Sequence, residues 1–281
     1  MSFRPLLRPF STLTGWTSHL LSAEIPILEQ TAKVLAALRA EHEADDERVD
    51  AATLADVCQA DPLMTLKVFA HLGRHRSARR VTDPESMTAA IMMLGVPPFL
   101  RAFAEAPTVE SRLDRWPEAL DGLQRVVMRS HRASRFALGF AIARKDPDAA
   151  VIHEAALLHD FAELLIWCHA PTLALEMRRR QQADPTLRST QAQREILHVE
   201  LSDLEQALMR GWRLPELLVK ITDHARADDA RVRNVLLAVA LARHTQAGWE
   251  NPAIPDDLAD IGRLLSLAPE AVRRKVLELD S

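Results

Sequence analysis

The sequence has no tyrosine, and only 5% of its residues are aromatic. It also lacks alternating runs of β-branched residues, and no Asn-Gly or Asp-Gly pair joins two apolar runs, since Asp121–Gly122 lies in a polar stretch. Strands and hairpins therefore have no signal. Cysteine is nearly absent: Cys58 and Cys168 stand alone in apolar helical patterns, which argues against a disulfide framework or a zinc cluster. The longest uncharged stretch, residues 87–100, is well short of the roughly 18 to 20 residues that a bilayer span needs, and it contains Gly95, Pro97 and Pro98. A net charge of −4 and a pI near 6.3 give no general reason to bind nucleic acid or an anionic membrane. The opening MSFRPLLRPFSTLTGW has neither the apolar core nor the cleavage site of a secretory leader. These absences predict a cytoplasmic protein with no membrane partner and no nucleic-acid partner outside a local basic patch.

The apolar share of 48% is ample for a packed core, and its period is helical throughout. Leu28, Thr31, Leu35 and Leu38 fall on one stripe. Thr53 and Asp56 have capping-box spacing. Asp61–Pro62 reads as an N-cap followed by proline at the first helical position, with Gly73 as the stop. Asp83–Pro84 and Gly95 bracket the next helix in the same way. The polar stretch PTVESRLDRWPEALDG is a candidate hinge, and LQRVVMRSHRASRFALGFAIARK a long helix. HEAALLHDFAELLIWCHAP, residues 153–171, places His159 beside Asp160 in a run that otherwise forms an apolar helix, and the remaining patterns are helical as well. The chain is predicted to be all-α.

Neutral imidazole and carboxylate are good ligands for zinc, manganese or iron, but a hydrolytic centre needs three or more protein ligands. The stretch AALLHDFAELLI resembles the signature of the HD superfamily, in which a His-Asp pair binds metal and hydrolyses phosphate esters. His131, in RSHRASRFALGFAIA, lies where that superfamily has an earlier histidine ligand. Four further segments are similar to one branch of the superfamily, the HDOD domains. IPILEQTAKVLAAL resembles their opening helix, and LADVCQADPLMTLKVFAHLG their D-P-x-L segment. VTDPESMTAAIMMLGVPPFLRAF resembles their S-x-x-x-A-I-x-x-L-G segment. LSDLEQALMRGWRLPELLVKITDHA resembles their W-x-L-P segment, with Trp212, Leu214, Pro215 and His224 in place. The resemblance implies a two-lobed, all-helical, usually non-enzymatic module of bacterial signalling. It divides the chain into an N-terminal extension (1–24), an HDOD domain (25–245, with lobes 25–110 and 118–245) and a C-terminal helical appendage (246–281).

Departures from the pattern bear on chemistry. Ala162 and Glu163 replace the Gly-Lys that follows the His-Asp pair, Leu201 replaces a histidine and Glu205 a glycine. Arg243 aligns with the aspartate that closes the metal site in catalytic relatives. A cation there opposes a bound metal by several kcal/mol even at an effective dielectric near 20. His131, His159, Asp160 and Arg243 are therefore expected to form a metal-free polar cluster, Arg243 pairing with Asp160. The expected function is that of a binding scaffold for a signalling protein or small ligand, without cofactor. The alternative is a metal-dependent phosphohydrolase acting on nucleotides or cyclic dinucleotides, with a divalent ion on His131, His159 and Asp160. Arg74, Arg76, Arg79 and Arg80 are candidate contacts for an anion or a partner. The closing pair of helices has the spacing of a helix-turn-helix, but a packing role is expected.

Overall fold

The computed structural model describes residues 4–44, 49–75, 84, 86–184 and 186–280. In chain order the helices are α1 (Leu13–Ser22), α2 (Glu29–Ala44), α3 (Ala51–Gln59), α4 (Pro62–Arg74), α5 (Met87–Leu94), α6 (Val96–Phe103) and α7 (Val109–Arg112). They continue with α8 (Pro117–Ala143), α9 (Ala149–Leu158), α10 (Phe161–His169), α11 (Pro171–Ala183), α12 (Ser189–Ile196) and α13 (Leu201–Trp212). The last are α14 (Glu216–Ile221), a 3-10 turn at His224–Arg226, α15 (Ala230–His244), α16 (Ile254–Leu265) and α17 (Pro269–Asp280). Among the described residues no strand forms; one isolated parallel bridge joins Ile27 to Thr108.

The chain forms two compact units, and both are discontinuous. The first comprises Met1–Val126 with Asp160–Leu214, the second Val127–His159 with Pro215–Ser281. This partition differs from the sequence-based one. The proposed hinge holds α7 and the start of α8, and the division falls inside α8, where an unbroken helix leaves no linker. The N-terminal extension and the C-terminal appendage are both built into a unit.

In the first unit, α1 packs along α13 with Trp16 and Leu20 fully buried, and Trp16 Nε1 donates to the Leu197 carbonyl at 2.8 Å. Carbonyls in and after the last turn of a helix lack intrahelical partners. Here three cations supply them: Arg74 donates to Leu21 O (2.7 Å), Arg112 to Glu24 O (3.0 Å) and Lys67 to Ile25 O (2.8 Å). Asp61 caps α4 as its sequence suggests, accepting from Leu63 N and Met64 N, while its other oxygen accepts from Leu28 N. Burial raises its pKa to about 6 against the pull of those donors.

Three local readings change. Asp50, not Thr53, caps α3, its carboxylate accepting from Thr53 N at 2.8 Å. Ser86 caps α5; Asp83 lies outside the described residues, and Gly95 does end the helix, at φ +82°. Gly73 is not a stop. It sits within α4 where the backbone of Trp212 passes so closely that a Cβ would lie 1.9 Å from the Trp212 carbonyl oxygen.

In the second unit α15 packs on α9 and α16, and α17 on α16. Arg132 of α8 forms a bidentate ion pair with Asp280, donates to Thr245 O at 2.7 Å and lies over the rings of Phe136 and Trp249. The two closing helices are thus fastened into the unit, as the packing reading expects.

Candidate functional site

The run that reads as one helix is two. It breaks at the His-Asp pair, with His159 as C-cap of α9 and Asp160 as N-cap residue of α10. No glycine or proline marks the break. Asp160 instead takes a bridge conformation (φ −103°, ψ 20°), which suits a residue poorly disposed to helix interiors. The division between the units also falls between these two residues.

Within the second unit, His159 meets His224, the histidine of the W-x-L-P segment. Their Nε2 atoms are 2.9 Å apart, the ring planes differ by 16°, and the centroids are 5.1 Å apart. The centroid separation is close to the nitrogen gap plus the two ring half-widths, so the rings face each other edge to edge, nearly in line. That is the geometry of an N–H···N hydrogen bond, in which one ring donates and the other accepts. His159 is 8% exposed and His224 open to solvent. Two opposed imidazole nitrogens sharing one ion would stand about 4 Å apart, given metal–nitrogen distances near 2.0 to 2.1 Å. As arranged, this pair does not fit a shared metal ion.

His131, on α8, lies beside half-buried His153 of α9. Burial, and then the nearby His131, lowers the pKa of His153 to about 4, so this ring is neutral at physiological pH. Arg243 lies exposed in the last turn of α15, where its charge favours the helix dipole.

Asp160, in the first unit, is close enough to Glu205 of α13 for its charge to be felt there. Glu205 is buried, its Oε1 makes no hydrogen bond among the described residues, and burial, reinforced by Asp160, raises its pKa well above the ordinary value of 4.5. Above that ordinary value the unfolded chain releases a proton that native Glu205 keeps, so stability falls as pH rises through the folded-state pKa. Glu205→Gln is expected to be more stable than the parent at pH 8 and to flatten the fall in urea midpoint between pH 5 and pH 8. Parallel pH profiles for the two proteins would show that Glu205 does not titrate in this way.

Arg74 is committed to Leu21 O, whereas Arg76, Arg79 and Arg80 lie outside the described residues. Among the described residues no three His, Cys, Asp or Glu side chains are grouped to hold a metal ion, and no helix is long and apolar enough to cross a membrane. Sequence reasoning overlooked His153, His224 and Glu205 as site residues. His224 and Glu205 had a signal, one lying in a recognised segment and the other replacing a glycine; His153 had none.

Comparison with known proteins accords with this architecture. The HDOD domain family profile matches residues 28–227. A response regulator, MmoQ from Methylococcus capsulatus, superposes with a TM-score of 0.66 at 21% identity over 91% of this chain and 99% of its own. A virulence factor from Campylobacter jejuni gives 0.62 at 16% identity, over 94% and 93%. At such identities the likeness is one of fold. No curated protein sequence matches the chain.

Proposed function

The chain belongs to the HDOD domain family, and from that premise we propose that it is a non-enzymatic regulatory protein of bacterial signal transduction, a cytoplasmic helical scaffold that binds a signalling protein or small ligand. The observation that carries the proposal is the in-line contact of His159 with His224. An HD-type hydrolase needs the ring nitrogen of its signature histidine for a metal ion. Here that nitrogen is engaged by a second imidazole at hydrogen-bond distance, and the two cannot take up one ion without rotating apart. The replacements at Ala162 and Glu163, and a basic residue aligned with the closing ligand, point the same way. The similar fold of a response regulator gives the scaffold reading a direction, namely a role downstream of a sensor.

The test is elemental analysis of protein purified without chelator or affinity metal, alongside His159→Ala. Less than about a tenth of an equivalent of zinc, manganese or iron in both proteins, with no phosphodiesterase activity on added manganese, is the expected result. Near-stoichiometric metal that disappears in the variant, together with hydrolysis of a phosphodiester, would overturn the proposal in favour of a phosphohydrolase using His131, His159 and Asp160.

A further inference from the structure

His71 lies in the last turn of α4 and His75 is the residue that caps the helix, four positions on and beside it. Their ring centroids are 4.2 Å apart with planes tilted by 34°, and His71 is also held by an edge contact with Phe103 at 5.2 Å. His75 Nδ1 lies 2.8 Å from the His71 carbonyl. A carbonyl only accepts, so Nδ1 carries the proton and the lone pair of His75 is on Nε2. Neither ring nitrogen of His71 is engaged in a hydrogen bond among the described residues. His75 is exposed and His71 half-buried. Burial, His75, Arg74 and Lys67 all lower the proton affinity of His71, so its ring is neutral and available as a ligand at physiological pH.

We propose that His71 and His75 form a two-imidazole surface site for a divalent first-row ion of the copper(II) type. Imidazoles this close can place two donor nitrogens about 3 Å apart, the separation of adjacent ligands on one ion. Water completes the coordination. The neighbouring cations also oppose a metal, although Lys67 is paired with Glu24 and Arg74 is directed to Leu21 O. That residual repulsion favours the ion whose bond to imidazole is strongest, which in the first-row series is copper(II). The site is separate from the His-Asp pair and does not depend on the function proposed above.

The experiment is titration of copper(II) into the untagged full-length protein, followed by electron paramagnetic resonance and calorimetry, with His71→Asn, His75→Ala and His224→Ala in parallel. Expected are one copper with at least two nitrogen ligands in the parent, unchanged in His224→Ala, and an affinity loss of about tenfold or more in the other two variants, whose circular dichroism stays native. Unchanged binding in His71→Asn and His75→Ala, loss only in His224→Ala, or no binding by the parent at micromolar copper would each overturn the proposal.

Discussion

Gly73→Ala is expected to destabilise the first unit by about 3 kcal/mol or more, enough to leave the protein poorly folded at 37 °C. Helix propensity alone predicts the opposite sign, because alanine in a helix interior is favoured over glycine by roughly 1 kcal/mol. The close contact decides the outcome. An alanine Cβ at this position would lie 1.9 Å from Trp212 O and 2.8 Å from Arg213 O. Both obstacles are backbone atoms at the end of α13, so no side-chain rotation relieves them, and α4 and α13 must separate. Separation would loosen the burial of Trp212, whose ring packs against Phe161 with centroids 6.0 Å apart. Urea unfolding followed by circular dichroism measures the loss. A variant as stable as the parent would mean that α4 and α13 do not approach this closely in solution.

Trp16→Ala is the second large effect, with an expected loss of about 3 to 5 kcal/mol. The side chain is fully buried, and its indole N–H satisfies the Leu197 carbonyl, which would otherwise be left without that donor. Trp16→Phe separates the two contributions, since it keeps most of the apolar burial and gives up the hydrogen bond at a cost of about 1 to 2 kcal/mol. Hydrogen exchange should show faster exchange along α1 and α13 in the alanine variant. If Trp16→Ala falls within about 1 kcal/mol of the parent, α1 is not the integral element described above.

How much of this was legible in the sequence depended on the range of the interaction involved. The all-α class and the caps at Asp61–Pro62 and Gly95 are local matters, decided by one or two residues, and they read correctly. Asp50 and Thr53 are both good capping residues, and backbone geometry, not composition, selected the earlier one. Gly73 was misread because its reason lies in the distant backbone of Trp212, which no local pattern encodes. The break at His159–Asp160 has no glycine or proline to announce it. His224 was seen as part of a segment, but its contact with His159 exists only once the chain has folded.

The discontinuity of the first unit also bears on how the protein is made. The seat of α1 is completed by α13 and Leu197, so Trp16 and Leu20 leave the ribosome long before the surfaces that bury them. At about 5 to 20 residues per second, the wait is on the order of ten seconds or more. Throughout that interval a nascent amphipathic helix stays uncovered, which makes the emerging α1 segment a natural substrate for chaperones that act during translation.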